Sequence, residues 1–530
     1  MFPHSPLRLW LFLSLLIFPV LRSAAQETPL PITSSMEGAF EHGRRNSRVP
    51  FRATLDNNTS RDRTVTLLFN DRWGNHANAQ NYSLLIPAGE RVRMVVYPAL
   101  SSNLRYEVKE SGKGSNSLSI DDDYKRIYAV IQEKTPVEWN LLKDSSYDAG
   151  VSSCDLMKWP ADYRMYESQS CIIMPEKIYQ SYFDEPHRKA IRQWVLGGGN
   201  LWLIGEKGQP VTTRILGNGR ILHVPSLSGL PENEQKKQID ELVRKDSSAF
   251  KVAPSSSLLY DQDSSYFFST PSIAPGLLLI AFAVLVGPFC LFLWAPSGKR
   301  QRLFILVPSI SLGFCILLGL CILIGDGTGG TGERDVCILV NSRDHTGLIL
   351  QSQVSKTSVL ATNSFTLPEH AGIYGTLNRK KHESITIQEL ENTAREGKRC
   401  SGNWFTSRSS LEHELSMPVS TRAALTLLET LPDGSPVFQS TFPGALYRLT
   451  YQDSSGKYWK ISHLPPGQKM RAEPFIPEEK QVAPPPGHFL ACMEEVEGDL
   501  GPIPTLPSIR WEKTNITVYG PVPVTTQPNE

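Results

Sequence analysis

Two long uncharged stretches, separated by a short cationic connector, restrict the fold of this chain more than any other feature. Residues 274–295 and 303–325 contain no Asp, Glu, Lys or Arg. Each stretch is long enough to cross a hydrocarbon core of about 30 Å as a helix, which satisfies its own backbone hydrogen bonds in lipid. A core helix of a soluble protein would show a polar face, and neither stretch does. We therefore predict two transmembrane helices.

The connector predicts the topology of the two helices. Residues 296–302 include Lys299, Arg300 and Arg302, and short loops rich in Lys and Arg stay in the cytoplasm. Because this connector has only seven residues, the two helices must also be antiparallel neighbours. Both large flanking regions are therefore expected on the extracytoplasmic side of a cell (inner) membrane. Because neither span contains an ionisable residue, we interpret the pair as an anchor rather than an ion path.

The first 25 residues predict export. An apolar run of about a dozen residues follows Arg8, and Ser23-Ala24-Ala25 comes after it. This is the pattern of a secretory signal peptide with cleavage after Ala25. The alternative is an uncleaved anchor helix, for which the run is short because a span needs about 20 residues.

The region 30–120 predicts a β-sandwich, because short strands alternate with turns and no helical periodicity intervenes. Residues 49–55 and 64–69 form two of the expected strands. Residues 82–86 and 92–97 flank a Pro87–Glu90 turn, and we expect them to form a hairpin.

The region 124–250 alternates apolar strands with helices, which favours a doubly wound parallel sheet. Glu185–Leu196 places apolar residues on one helical face, with Asp184 as N-cap and Gly197–Gly199 as terminator. The expected strands are 128–131, 171–174, 201–204 and 220–224.

The region 333–475 is expected to be a β-rich extracytoplasmic domain, again a sandwich or two small β units. Its expected strands are 336–340, 347–350, 384–387, 423–428, 446–451 and 458–461. Residues 476–530 form a Pro-rich segment in which Ile516–Tyr519 is expected as an edge strand.

Part of the chain resembles a known family. SCIIMPEKIYQ (170–180) and HRKAIRQWVLGGGNLWLIG (187–205) resemble the class I glutamine-amidotransferase-like (flavodoxin-like) domain of bacterial membrane proteins of unknown function. In those proteins the domain stands beside a helical hairpin similar to residues 286–327. Trp404, Arg408 and Pro466-Gly467 resemble the C-terminal β region of the same group. The resemblance covers most of the mature chain and implies a fold and an envelope location.

An amidotransferase site is not expected from the residues present. Such a site needs a Cys on a Gly-flanked strand-to-helix turn, with a His and a Glu to activate it. Cys154 lacks flanking glycines, Cys171 opens a predicted strand, and His223 lacks a Glu two residues on. We therefore assign no catalytic residues. Cys154 and Cys171 are candidates for a disulfide.

Two further motifs are interpreted as structural. Gly197–Gly199 follows a helix, whereas a phosphate-binding loop precedes one. Asp121–Asp123 lacks the Gly and distal Glu of a calcium loop. No cofactor or metal site is predicted.

Three functions remain open at this stage. The first is a non-catalytic envelope protein that binds a ligand or protein partner outside the cytoplasm. The second is an extracytoplasmic hydrolase or amidotransferase-like enzyme with a cryptic site in the α/β region. The third is an accessory subunit of a membrane transport complex. A nucleic-acid partner is not expected, because 54 basic residues face 53 acidic ones and the net charge is +1.

Overall fold

The computed structural model of the chain describes residues 32–40, 48–73, 76–98, 104–109, 115–117, 126–131, 142, 149–228, 230–247, 252, 273–294, 303–368, 370–375, 383–389, 397–477 and 483–523. Over these residues the protein is mostly β-structure, arranged in several sheets with separate hydrophobic cores. The predicted signal peptide, the connector 296–302 and Asp121–Asp123 lie outside the described residues.

The N-terminal region supplies strands to two facing sheets. Its strands are β1 (Ile32–Gly38), β2 (Phe51–Asn57), β3 (Arg63–Trp73), β4 (His76–Ile86), β5 (Arg91–Val96), β6 (Leu104–Lys109) and β7 (Ser115–Ser117). One sheet has the order β1-β2-β5. The inward residues of β2, such as Phe51 and Leu55, pack against Val65 and Phe69 of β3. Alternate burial along β2 follows from the period of two of a half-buried strand.

The expected hairpin around Pro87 is wrong. β4 pairs with β3, whereas β5 pairs with β2, so the Pro87–Glu90 turn crosses from one sheet to the other. The Asn57 side chain supports this crossing, since its amide donates to the carbonyls of Ile86 (3.1 Å) and Pro87 (3.0 Å). The turn forms where its residues predict it, but a turn does not determine which strands pair.

The next region forms a six-stranded sheet with helices on both faces. Its elements are β8 (Arg126–Val130), β9 (Ala149–Ser153), β10 (Cys171–Pro175), α1 (Glu176–Ser181), α2 (Glu185–Gly197), β11 (Asn200–Ile204), β12 (Thr212–Leu216), β13 (Gly219–Val224) and α3 (Glu232–Ser247). The sheet order is β12-β13-β11-β10-β8-β9, and only the β12–β13 pair is antiparallel. Counted along the chain, the five parallel strands have the spatial order 2-1-3-4-5.

Helix α2 covers one face of this sheet and α3 covers the other. Ile191 and Trp194 of α2 pack with Ile172 and Leu201, whereas the α3 residue Ile239 packs with Trp202 on the opposite side. The predicted N-cap of α2 is confirmed, because the Asp184 carboxylate accepts from the His187 N–H at 3.0 Å. The predicted Gly terminator is confirmed too. Gly198 has φ +122° and caps the helix, and a Cβ on Gly199 would meet the Trp194 ring.

Two apolar helices follow. Helix α4 (Ile273–Val284) continues as a π-helix over Leu285–Trp294, which contains Pro288. Helix α5 (Leu303–Asp326) contacts it through Phe282 and Phe314, whose ring centroids lie 5.2 Å apart. Among the described helices, one is long and apolar enough to cross a membrane, through Leu303–Leu320. The apolar stretch Gly276–Cys290 is shorter.

The remaining chain is β-structure. Its strands are β14 (Gly330–Asn341), β15 (Thr346–Thr357), β16 (Phe365–Pro368), β17 (Gly372–Gly375), β18 (Glu383–Glu389), β19 (Gly397–Gly402), β20 (Ser410–Ser420), β21 (Leu425–Thr430), β22 (Pro436–Ser440), β23 (Leu446–Gln452), β24 (Tyr458–Leu464), β25 (Lys469–Arg471), β26 (Glu473–Phe475), β27 (His488–Met493) and β28 (Ile509–Pro521). The largest sheet has the order β17-β20-β15-β14-β28-β27-β23-β24-β26, and a smaller one has β21-β22-β25.

Strand β28 corrects another expectation. Ile516–Tyr519 was expected at a sheet edge, but β28 lies in the interior of the nine-stranded sheet, between β14 and β27. The side chains explain this position. Ile516 and Val518 enter the core on one face, whereas Tyr519 packs with the α2 core on the other. A strand that is buried on both faces suits the interior of a sheet.

A seven-stranded sheet joins the regions before and after the two apolar helices. Its order is β16-β19-β18-β4-β3-β6-β7, and β18 runs parallel to β4. The nine-stranded sheet also contacts the α/β region, because Leu339 and Leu348 belong to the same core as α2. The described parts of the chain on either side of the helices therefore form one connected body.

Candidate functional site

The carboxyl edge of the parallel sheet is the natural place to look for a site. In open parallel sheets, ligands bind beyond the carboxyl ends of the strands. Here Glu176 follows β10, Gly205 follows β11, and His223 is the penultimate residue of β13. Because these three strands are neighbours in the order β13-β11-β10, the three positions meet at one edge.

Glu176 and His223 form a pair across the end of β11. The His223 Nδ1 lies 3.5 Å from the Glu176 Oε1, and their side chains are 38% and 27% exposed, respectively. Gly205 lies close to this pair. A Cβ there would stand 3.6 Å from the Glu176 Oε2 and 2.7 Å from the Gln209 Oε1. A residue without a side chain therefore leaves room for Glu176 and Gln209 at this edge.

The pair can orient an imidazole and bind a polar group of a ligand. A carboxylate on one ring nitrogen sets the tautomer of the imidazole and leaves the other nitrogen for a ligand. Acyl transfer would also need an activated nucleophile beside the imidazole. Neither Cys154 nor Cys171 is such an activated nucleophile.

Cys154 is a poor nucleophile in this fold. Its burial, together with the nearby Asp155 carboxylate, raises the pKa of its thiol to about 12. The thiolate, which is the reactive form, is therefore scarce at neutral pH. Cys171 is fully buried at the start of β10, at the opposite end of that strand from Glu176.

The predicted candidate disulfide is wrong, because Cys154 and Cys171 are not bonded to each other. Their environments give the reason. Cys171 belongs to the core on the α3 face of the parallel sheet, whereas Cys154 packs against the core on the α2 face. The sheet therefore lies between the two sulfur atoms.

Glu176 is the site residue that sequence reasoning missed. An amidotransferase motif would place the carboxylate partner of His223 two residues further along the chain. The carboxylate comes instead from a different strand end, 47 residues earlier. The order of the parallel strands could have predicted this pair, because the carboxyl ends of neighbouring strands meet at one edge even when they are far apart in sequence.

A second polar cluster lies in the segment between β9 and β10. Two 3₁₀ turns there, Leu156–Lys158 and Tyr163–Tyr166, contact other parts of the chain. Tyr163 meets Ser416 of β20 through a buried hydrogen bond of 2.6 Å. The Arg164 guanidinium donates to Asp162 and stacks over the Tyr97 ring at 4.6 Å. We call residues 155–169 the junction segment.

The charges of the junction segment are paired. Burial alone would lower the pKa of Arg164, but the charge and hydrogen bonds of Asp162 outweigh it and raise that pKa. Burial likewise opposes ionisation of Asp162, and Arg164 keeps the pKa of this carboxyl below its ordinary value. The pair therefore stays ionised near neutral pH and serves a structural role.

Metal ligation finds no support in the described residues. They contain no group of three or more His, Cys, Asp or Glu side chains that could hold an ion. Gly197–Gly199 ends α2 and packs against Trp194 and Asn218, as expected for a helix terminus.

Comparison with known proteins adds little to the geometry. No family model and no curated protein matches the chain. Among solved structures, the yeast delta-COP-I mu-homology domain with a Dsl1 WxWxV peptide is similar at 11% identity and a TM-score of 0.18, covering 37% of this chain and 98% of that one. A Paenibacillus sp. cycloisomaltooligosaccharide glucanotransferase with cycloisomaltoheptaose is similar at 9% identity and a TM-score of 0.17, covering 72% and 69%. Such low TM-scores carry no argument about fold or function.

Proposed function

We propose that this chain is a membrane-anchored envelope protein whose extracytoplasmic body binds a protein partner or ligand without catalysing a reaction. The pairing of β4 with β18 carries the proposal. These strands belong to one sheet and lie on opposite sides of the two apolar helices in sequence. Strands that share a sheet are on the same side of a membrane, so the chain between them crosses an even number of times. A hairpin of two spans meets that requirement.

The surface of the helices supports insertion in lipid. None of the window Leu303–Leu320 is buried within the protein, and its mean hydropathy is 2.5. Phe304 and Ile305 are 85% and 76% exposed. Exposing so many large apolar side chains to water is unfavourable, whereas exposing them to hydrocarbon costs nothing comparable. The cationic connector and the N-terminal signal sequence favour a body on the extracytoplasmic side.

The parallel sheet supports the fold that the family resemblance implies. The strand order 2-1-3-4-5 is that of flavodoxin-like folds. A fold of this kind serves many functions, so the activity is argued from its site. The cysteines described above favour binding over acyl transfer.

The Glu176–His223 pair favours one alternative, a cryptic extracytoplasmic hydrolase or amidotransferase-like enzyme. The variants Glu176→Gln and His223→Ala separate the two functions, with Cys154→Ala and Cys171→Ala beside them. A binding protein loses its cellular function in a folded variant only together with binding of its ligand or partner. Loss of function in folded Glu176→Gln and His223→Ala, with partner binding intact, would favour the enzyme.

Topology and partner are tested with the full chain in cells. One accessibility tag is inserted in the connector after Ser297 and another follows Glu530. We expect an extracytoplasmic protease to remove only the C-terminal tag, and permeabilised cells to lose both. Removal of the connector tag from intact cells, or recovery of the chain in a soluble fraction, overturns the anchor. Detergent extraction and affinity purification then identify the partner, and a large transport complex would assign the chain as its accessory subunit.

A further inference from the structure

The link between α5 and the β body is very short. Only Gly327, Thr328 and Gly329 separate Asp326 from the first residue of β14. The Gly329 N–H donates to the Val359 carbonyl at 3.0 Å, and the Gly329 carbonyl accepts from Ser358 at 2.8 Å. Four backbone steps span at most about 14 Å. The start of β14 therefore lies close to the end of the helix.

Three exposed cations surround this end of the nine-stranded sheet. Thr331, the second residue of β14, is opposite Lys356 of β15 on one side and Arg510 of β28 on the other. Both side chains are exposed. Since directly paired residues point to the same face of a sheet, the two cations flank Thr331. We name Lys356, Arg408 and Arg510 the membrane-proximal basic patch.

Arg408 is tied to the same place by its backbone. Its N–H donates to the Ser358 carbonyl at 3.0 Å, and Ser358 itself bonds to Gly329. Arg408 also has φ +58°, a conformation that is uncommon for a residue with a side chain. Arg510 has an acidic neighbour in Glu512 at 3.3 Å, but both side chains are more than half exposed. Solvent screens such a pair strongly, so Arg510 remains able to bind another anion.

We propose that the membrane-proximal basic patch binds the phosphate headgroups of anionic lipids in the leaflet beneath the body. This inference rests on the proposed membrane anchor. The headgroup layer extends about 5 to 7 Å beyond the hydrocarbon on each side, a distance that the short link and a long Lys or Arg side chain cover together. A cation held near an anionic membrane strengthens attachment about fivefold. The two guanidinium groups can also bind phosphate oxygens bidentately.

The test measures lipid selection by the full chain. The protein is extracted in mild detergent from membranes of equal phosphatidylglycerol and phosphatidylethanolamine, and the co-purified lipids are quantified by mass spectrometry. We expect at least about fivefold enrichment of phosphatidylglycerol, the effect of one cation, and this enrichment should fall as salt rises. The triple variant Lys356→Gln, Arg408→Gln, Arg510→Gln should lose the enrichment.

A matched control removes one Lys and two Arg elsewhere. Lys460→Gln, Arg448→Gln and Arg214→Gln change exposed residues. Successive paired residues across the sheet connect Lys460 to Leu339 of β14. Leu339 comes nine residues after Gly330, which corresponds to about 30 Å along the strand. The control should keep the enrichment. So should Lys356→Arg with Arg408→Lys and Arg510→Lys, which preserves charge even if the neutral variant folds poorly.

Each outcome bears on the proposal. Equal lipid composition in the wild type and the triple variant overturns it, and so does an equal loss in the control. Displacement of phosphatidylglycerol by millimolar inorganic phosphate would indicate a phosphate-ion site and also overturns it. A chain that needs detergent for extraction but shows no enrichment refutes only the basic patch. Recovery without detergent refutes the anchor itself.

Discussion

Tyr163 joins parts of the chain that lie 253 residues apart, through its 2.6 Å hydrogen bond with Ser416. Burial raises the pKa of Tyr163, so the phenol keeps its proton at neutral pH. Tyr163→Phe leaves the Ser416 hydroxyl without this partner in a buried place. We expect the free energy of unfolding to fall by about 1 to 2 kcal/mol, as measured by urea unfolding of the detergent-solubilised chain.

The control for this variant is Tyr447→Phe. Tyr447 is 38% exposed and stacks on His463, so water replaces any hydrogen bond that its hydroxyl loses. We expect almost no change in stability. Similar losses in both variants would contradict the role of the buried Tyr163 contact.

His413 makes stability depend on pH. Burial lowers its pKa from the ordinary 6.5 to about 4, against the opposing effect of its bond to the Trp404 carbonyl. The unfolded chain therefore binds a proton between pH 6.5 and pH 4 where the folded chain does not. Neutral His413 contributes fully to the free energy of unfolding above pH 6.5. This contribution is lost as the pH falls to 4, and the loss is about 3 kcal/mol at most.

Unfolding measured between pH 7 and pH 4 tests this dependence. We expect His413→Leu to flatten the decline in stability. Gln353 lies directly opposite His413 in β15, and Gln353→Leu changes the same core without removing a titrating group. It should shift stability at every pH and keep the slope. An unchanged slope in His413→Leu would refute the assignment.

At the residue scale, the sequence predicts the roles of residues whose partners are near in the chain. The Asp184 cap and the Gly198 terminator depend on neighbours within a few residues. The Glu176–His223 pair and the Tyr163–Ser416 bond depend on strand order and on packing between distant segments. The sequence around each of these four residues does not predict which residue it contacts.

Among the elements, the turn of the β12–β13 hairpin forms hydrogen bonds with a segment that is distant in sequence. The Asn218 side chain donates to the Val252 carbonyl at 2.6 Å and accepts from the Val252 N–H at 2.7 Å, in a buried place. Asn218→Ala leaves the Val252 N–H without this partner, and the Val252 carbonyl keeps only the weak Cys337 thiol donor at 3.8 Å. We expect a loss of about 2 to 4 kcal/mol in the free energy of unfolding.

Asn218→Asp gives a graded control for these two hydrogen bonds. The carboxylate still accepts from the Val252 N–H but cannot donate to its carbonyl. Its stability, measured by the same urea unfolding, should therefore fall below that of the wild type. Wild-type stability in both variants would show that these hydrogen bonds contribute nothing.

The strands themselves were largely readable from the sequence, whereas their pairing was not. Leu446–Tyr451 and Tyr458–Ile461 pair as adjacent antiparallel strands across the Asp453–Lys457 turn, as a short turn favours. The turn at Pro87 has similar residues but crosses between sheets, because Asn57 binds the carbonyls there. The Pro-rich composition of the tail predicts an edge position for strand β28, which the structure contradicts. Its burial on both faces comes from the α2 core, which is remote in sequence.

At the scale of the whole molecule, the body should stay together after its chain is cut. A site for a specific protease is inserted between residues 253 and 270, after α3 and before α4. We expect the N-terminal fragment to remain with washed membranes after complete cleavage, because β4 pairs with β18 and Tyr163 with Ser416. Gel analysis of the membrane and wash fractions measures this retention.

Denaturing urea provides the positive control, since it should release the N-terminal fragment from the same cut membranes. Release by a mild salt wash would instead mean that the regions on either side of the helices do not form one body. That result would also remove the main support for an even number of membrane crossings.

The shared sheet has a consequence for how the chain is made. Strand β18 leaves the ribosome roughly 300 residues after β4, which at about 5 to 20 residues per second takes about 15 to 60 seconds. During that interval the β4 side of the nascent sheet has no β18 neighbour, and both apolar helices are synthesised in the meantime. An unpaired strand edge invites aggregation. We therefore expect the β4 edge to need shielding from other strands until β18 has been synthesised.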